Sequence, residues 1–592
     1  MLGRRRLAVL AALAVLAGCG GDDPSPSADA KVAPAVADQL KYLDPRSSAV
    51  FAVDLRWEGR NVEHLRAIAS RALRTYREHA DEDVRSEIPP NVTGALNMLA
   101  SFAGLSFDED VRPLLDGYAV VGVTQPPVPP LPPEAQAIRR KPAERRTPEE
   151  TNELLRAQGE QDEAAQPLVV TVYKTGGDGL RRVLEKVSEG ERLAPVPGRE
   201  DVLRLGDELF LIGDDTLLWV DATDRQALAN AALDRAEGGA GYPAARLADA
   251  ERAAALDDPW VLLAGDRTVA RAWVDDPSLQ RALREVPWLG AIRSLAGAMR
   301  LDERGADLAG VVSTDPRALR DGDLPLAPAG DLELPRNDLM TGASRDQSFT
   351  TTFLSRTARA LFADSDFASA VGRAERDLGV RFEDEVLRQF SCPSMSQFDP
   401  AARRFGARSC VKDPERMREL LPKLSEHLPR ILTTLQRLDT QGLVGLLLVA
   451  PDAPLTPSFS ALADVVVKPF RGGGEGEEET LYEVTGLADD WTSELSASAP
   501  DKVVFGLVGD TFVVGSDAEM ARAAAKLEGQ PLDRPAASAI RIPAAVLLGR
   551  PAADDGGDPA ERAVLDLLGE AVVSASADRA RLTARGRLDL RD

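Results

Sequence analysis

Asp207–Leu233 reads DELFLIGDDTLLWVDATDRQALANAAL, and Asp501–Leu527 reads DKVVFGLVGDTFVVGSDAEMARAAAKL. In the first stretch the apolar run Leu209–Ile212 ends at Gly213, Asp214 and Asp215, and a second run, Leu217–Val220, follows at once. Two β-prone runs joined by a few Gly and Asp residues predict a hairpin. Thr223 stands three residues before Gln226, and Ser516 three before Glu519. Each pair fits a capping box, in which the hydroxyl accepts an orphan helix N–H and the longer side chain reaches back. Met520, Ala523, Ala524 and Leu527 then recur at helical spacing as one apolar stripe. Strand, acidic turn, strand and capped helix thus occur twice, which predicts two copies of one domain. The turn acids Asp214, Asp215 and Asp510 suit turns by bonding their own backbone. Neither copy has the spaced acid ladder of a calcium loop, so no metal site is expected.

The first copy is expected over 40–314. Strands are predicted at Ala49–Leu55, Tyr118–Val123, Leu168–Tyr173, Trp260–Leu263 and Leu308–Ser313. Helix Asn61–His79 carries Leu65, Ile68, Ala69, Ala72, Leu73 and Tyr76 on one face. Residues 125–166 are proline-rich and then charged, which predicts an extended or disordered insertion. Residues 315–345, rich in Pro, Gly and Asp, read as a linker. The second copy, 346–592, is expected to repeat the order. Phe349–Leu354 would be its first strand and Ala358–Leu378 its first helix. Gly379 to Glu385 (GVRFEDE) answers Gly104 to Asp110 (GLSFDED) and sets the register. Arg408–Val411, Val546–Leu548 and Arg581–Leu590 answer later strands of the first copy. The expected fold class is α+β: two tandem copies of a mainly antiparallel sheet covered by helices, after a lipoprotein signal peptide.

The 592 residues carry a formal charge of −24, which argues against nucleic acid as a partner because phosphate binding needs a basic face. Arg4, Arg5 and Arg6 precede the apolar run Leu7–Leu16, which is too short to span a bilayer and reads as a signal peptide, residues 1–18. The ending Leu16, Ala17, Gly18, Cys19 resembles the lipobox of bacterial lipoproteins, which implies cleavage before Cys19 and lipidation of its thiol. Residues 19–39 then form the lipidated cysteine and a tether, and the protein is expected on the extracytoplasmic face of the cell membrane. Two cysteines remain, Cys392 and Cys410, placed on neighbouring strands by the repeat alignment. An even pair in an exported protein predicts a disulfide. A nucleophilic cysteine would want a histidine base, and the chain has only His64, His79 and His427.

Met417, Leu421, Leu424, Leu428, Ile431, Leu435 and Leu438 alternate by three and four, a heptad seam that Pro422 and Pro429 should kink or split. LVGLLLV follows at Leu443–Val449. Three readings stand: core, a surface for an apolar ligand, or a coiled-coil dimer. The sequence has no His-Glu-x-x-His, Walker loop, Gly-x-Ser-x-Gly or Cys-x-x-Cys, so no catalytic, cofactor or metal residues are named. Gly472–Gly476 lies beside Glu477 to Glu479, which would repel phosphate; it reads as a loop.

The Tyr42–Pro45 opening (YLDP), the AVFAVDL strand, the hairpin-helix repeats and the leader together resemble a family of actinobacterial envelope proteins catalogued as domain of unknown function 3352. The resemblance implies no activity, cofactor or site residues. The expectation is a non-enzymatic, membrane-anchored lipoprotein with a binding or scaffolding role toward an envelope protein or a hydrophobic ligand. The alternatives are a carrier for a lipid or other hydrophobic ligand, and an envelope hydrolase using carboxylates, for which no pair of acids is singled out.

Overall fold

A computed structural model describes residues 32–126, 129–139, 141, 145–164, 166–175, 179–187, 192–267, 277–361, 366–399, 402, 404–435, 466–469, 479–485, 502–544 and 559–591. Cys19 and the leader, Leu443–Val449, Gly472–Gly476 and Val546–Leu548 lie outside them. The described chain mixes helix and strand around extensive antiparallel sheet, an α+β architecture. It divides into two compact units: Pro24–Asp275 with Ser294–Glu303, and Asp276–Arg293 with Arg304–Asp592.

The N-terminal unit holds β1 (Ala49–Asp54), β2 (Tyr118–Thr124), β3 (Leu168–Lys174), β4 (Ala194–Val196), β5 (Arg199–Leu205), β6 (Leu209–Ile212), β7 (Thr216–Asp221), β8 (Val261–Asp266) and β9 (Ile292–Asp302). They run β9-β8-β1-β2-β3-β7-β6-β5-β4, each pair antiparallel. Because side chains alternate faces along a strand, one register row lines one face. Ala298, Leu262, Ala52, Val120, Val172, Leu218 and Phe210 are successive cross-strand partners on seven strands. None is more than 5% exposed. This rib is the centre of the sheet's buried face, and each of its larger side chains contributes about 2 kcal/mol by leaving water.

The C-terminal unit holds β10 (Gly305–Thr314), β11 (Glu333–Leu334), β12 (Met340–Ser344), β13 (Ser394–Asp399), β14 (Arg404–Cys410), β15 (Val466–Pro469), β16 (Glu479–Thr485), β17 (Lys502–Val508), β18 (Thr511–Gly515), β19 (Gln530–Pro531), β20 (Ser538–Pro543), β21 (Leu568–Ala577) and β22 (Arg581–Leu590). Its sheet runs β10-β22-β21-β20-β12-β13-β14-β18-β17-β16-β15, antiparallel throughout.

Five expectations are corrected. The tether does not run to 39: Val32–Ala35 and Ala37–Leu40 are short helices, and Val32, Ala33, Val36 and Leu40 are buried, because these apolar side chains pack onto the N-terminal unit. Phe349–Leu354 is not a strand: helix Gln347–Leu361 covers it, and a second helix, Asp366–Leu378, follows. The threonines favour strands in isolation, but Phe353, Thr357 and Ala360 form a buried stripe at helical spacing, and the Thr351 and Thr357 hydroxyls donate to carbonyls four residues back. The segment 315–345 is no linker. It buries Leu319, Leu324, Leu326, Leu332 and Leu334 and supplies β12, a central strand. The first domain does not run to 314: Trp288 packs edge-on against Phe353 at 5.9 Å, and β10 pairs with β22 along its length, so both belong to the C-terminal unit. Finally, the 125–166 insertion forms helices Pro133–Arg139 and Pro148–Ala164 around Leu131, Ala135, Ile138, Leu154 and Ala157. Thr147 and Glu150 close a capping box over the second helix, a signal present in the sequence as TPEE.

The hairpin-helix units form as expected, with their caps moved by one residue. Asp224 accepts from Ala227 N at 2.9 Å and Asp517 from Met520 N at 2.8 Å. A carboxylate answers the positive end of the helix better than a hydroxyl, while Gln226 turns to Asn230 and Glu519 to Arg404. Replacing Asp224 or Asp517 by Ala should cost about 1 kcal/mol each in denaturant unfolding. Thr223→Ala and Ser516→Ala should cost less, and the reverse ranking would return the cap to the hydroxyls.

Candidate functional site

The apolar stripe of helix Pro414–Leu435 is framework over its first half. Met417 and Leu421 are buried with Val411, Tyr482 and Leu507, closed in by Phe390, Phe505 and Phe512. Leu420 enters a second cluster with Val380 and Val386, against which Leu424 is partly packed. Met417 and Leu421 therefore do not line an open ligand surface: strand side chains already fill the space beside them. Leu428 is half-buried, and the side chains of Ile431 and Leu435 lie outside the described residues. The helix continues through Pro422 and Pro429 without splitting, since packing of its first turns fixes its axis.

Cys392 and Cys410 form a disulfide with their Cα atoms 5.9 Å apart. It ties the entry of β13 to the end of β14, where Cys410 N donates to Pro393 O. Converting both to Ser should lower stability by about 3 kcal/mol, the chain-entropy value for a loop of this size, read from urea midpoints with and without reductant. A cost near zero would show that the corner is held by the ladder alone.

The acidic turns are the hairpin connections β6–β7 and β17–β18. Gly213 and Gly509 adopt φ of 59° and 58°, the left-handed conformation that these hairpin turns require. Asp510 pairs with Arg418 at 2.8 Å, and Asp215 accepts from the Thr216 hydroxyl at 2.7 Å. Among the described residues no group of three or more His, Cys, Asp or Glu is arranged to hold a metal ion.

A more unusual feature follows the register motif. Phe107–Val111 and Phe382–Val386 are each a single π-helical turn, followed by a short 3₁₀ turn. In the first, the Asp110 carboxylate accepts from Ser106 N at 2.9 Å, and Lys186 donates to it at 2.8 Å. In the second, Glu385 accepts from Arg381 N at 3.2 Å and meets Arg416 at 3.5 Å. The Lys186 hydrogen bond, then the Ser106 N–H, hold Asp110 below the usual carboxylate range. Glu375 is also lowered: burial opposes its ionisation, but Arg359 at 2.7 Å and Phe382 N at 3.0 Å outweigh it. A lowered folded pKa contributes stability that is fully present above the unfolded value, about 4, and is lost as pH falls through the folded one. Asp110→Asn should therefore be less stable than the parent at pH 7, with the gap closing below pH ~4. A gap that persists in acid would assign the effect to packing.

Helix Val92–Phe102 lies against helix Arg60–His79 and is the strongest departure from ordinary burial. Asn91 caps it by accepting from Gly94 N at 2.7 Å. Leu96 and Ala100 pack inward on Trp57, Val62 and Phe107. Met98, Leu99 and Phe102 point outward, 42%, 59% and 81% exposed. Among the described residues six large apolar side chains are exposed, and five fall between Leu65 and Phe102. The sequence carried a signal for this. Ile88–Phe107, IPPNVTGALNMLASFAGLSF, has no charged residue in a chain that is 28% charged. Periodicity alone could not say that the outward stripe stays uncovered.

No protein-family model, no curated protein and no solved structure matches the chain.

Proposed function

We propose that the protein is a lipoprotein of the extracytoplasmic face of the cell membrane, anchored through Cys19, with a non-enzymatic binding or scaffolding role. The observation that carries this reading is the leader: three arginines, a ten-residue apolar run and Leu-Ala-Gly-Cys at residues 16–19. The disulfide Cys392–Cys410 supports it, because such bonds persist in oxidising compartments. Among the described residues no helix is long and apolar enough to cross a membrane.

The body of this lipoprotein is, in the same proposal, two tandem copies of one domain. The order β9-β8-β1-β2-β3-β7-β6-β5-β4 is matched position for position by β21-β20-β12-β13-β14-β18-β17-β16-β15. The π-turns also correspond: an acid four residues on accepts from the N–H of Ser106 or Arg381 and meets a cation from the helix after β3 or β14. A shared nine-strand order and a shared rare turn together favour duplication over independent origin. In this pairing β12 answers β1, so the copies begin earlier than FTTTFL suggests.

In fractionated cells the parent should be found with the membranes and Cys19→Ala in the soluble fraction, with the parent's N-terminal peptide acylated at Cys19. A Cys19→Ala chain that still sediments with membranes, or an unmodified Cys19, would sink the anchor.

A further inference from the structure

We infer that helix Val92–Phe102 is a membrane-docking element: its outward stripe of Met98, Leu99 and Phe102 rests in the interfacial layer of the bilayer to which the lipid anchor ties the chain. This deepens the lipoprotein reading and rests on it for the membrane's proximity.

The geometry of the helix suits a lipid surface. It is eleven residues long, about 16 Å, so it is far too short to span a bilayer and can only lie in the interface. It carries no charge, so sinking its outer face into the headgroup boundary strips no ion of water. The asparagines at its cap and in its middle are engaged on the protein side. Asn91 closes the first turn, and Asn97 accepts from Phe107 N at 3.0 Å and donates to Asp108 at 3.2 Å. Its inner face is fixed by Leu96 and Ala100 over the Trp57–Phe107 pair, whose ring centroids are 5.0 Å apart. The apolar stripe is thus presented by a rigid seat.

The tether places the membrane within reach. Cys19 stands thirteen residues before Val32, the first described residue of the N-terminal unit. Such a length spans at most about 45 Å. A compact unit of about 260 residues has a radius of gyration of roughly 18 Å. An anchor at Cys19 therefore keeps this unit close to the bilayer, and the uncharged apolar stripe is a part of its surface that gains by contact with lipid.

The corresponding place in the C-terminal unit shows that the exposure is not a need of the fold. With Gly104 set on Gly379, the positions of Met98, Leu99 and Phe102 fall on Arg373, Ala374 and Asp377. The second copy keeps the helix and the π-turn behind it but has two charged groups and a buried alanine there. Among the described residues, only the unit that follows the tether carries such a stripe.

Contact through apolar side chains and not through charge sets the salt response. The flanks carry more acid than base, with Asp81, Glu82, Asp83 and Glu87 against Arg85 before the helix and Asp108, Glu109 and Asp110 against Arg112 after it, in a chain of net charge −24. Association with phosphatidylcholine vesicles should be insensitive to salt, and association with phosphatidylglycerol vesicles should strengthen as salt screens repulsion.

The test uses the chain from Gly20 to Asp592, made without leader or lipid and sedimented with each kind of vesicle. The parent should associate. Phe102→Asp should weaken association at least tenfold, since one buried Phe is worth roughly that factor or more. Leu155→Asp, at a 60% exposed leucine on helix Pro148–Ala164, should leave it unchanged. Unchanged thermal unfolding of Phe102→Asp would show that folding is intact. Phe102→Trp should add a fluorescence component that shifts to the blue on vesicles and is quenched by brominated lipid. Absence of vesicle association overturns the inference, as does association indifferent to Phe102→Asp. A dimer that Phe102→Asp dissociates would hand the stripe to a second copy and overturn it too. These outcomes separate from those at Cys19: an acylated Cys19 with no vesicle association removes the docking element and leaves the anchor standing.

Discussion

The rib from Ala298 through Leu262, Ala52, Val120, Val172 and Leu218 to Phe210 is the constraint on which the N-terminal unit depends. Seven strands spread from Ala49 to Asp302 must register so that one residue of each falls on a single line. A slip of one residue in any strand would turn its apolar set to the other face. Helix Val92–Phe102 and the π-turn behind it enter the sheet at β2, and so inherit their position from this register.

The C-terminal unit also has to register its strands, with other side chains. One of its cross-strand rows is Ala539, Ala343, Met395, Arg408, Val513 and Gly506. The Arg408 guanidinium rests on the Met395 sulfur at 3.4 Å. Gly506 adopts a φ of 150°, where a Cβ would meet Thr480 O at 2.0 Å. The thinner row is supplemented by Leu332 and Leu334 from the segment whose composition reads as a linker. The two units share a strand order and fill their cores with different side chains.

Local signals read well where one short-range interaction decides them. The hairpins at Gly213 and Gly509 follow from backbone freedom at one position, and the helices after them from a cap and a stripe. The pairing of Cys392 with Cys410 follows from two strands that are adjacent in sequence. Signals failed where composition competed with packing. FTTTFL has strand-forming threonines, yet Phe353 finds Trp288, a partner 65 residues earlier, and that burial makes the segment helical. The prolines of 125–166 suggested an open chain but mark helix starts at Pro133 and Pro148. Met417 and Leu421 were legible as apolar and not as enclosed, because the aromatic side chains of β17 and β18 that enclose them come some ninety residues later.

By itself the sequence determined the apolar run Leu7–Leu16 with the Leu-Ala-Gly-Cys that ends it, the α+β class, the repetition of strand, turn and capped helix, and the absence of charge from Ile88 to Phe107. These are properties of residues near one another along the chain. Only the tertiary structure decided where the units divide, that 315–345 supplies a central strand, and that the stripe of Met98, Leu99 and Phe102 is left bare while Met417 and Leu421 are covered. The physical reason is that burial belongs to pairs of surfaces. A stripe of apolar residues states what a helix can bury, and whether another element arrives to cover it is settled by the register of strands far away in the chain.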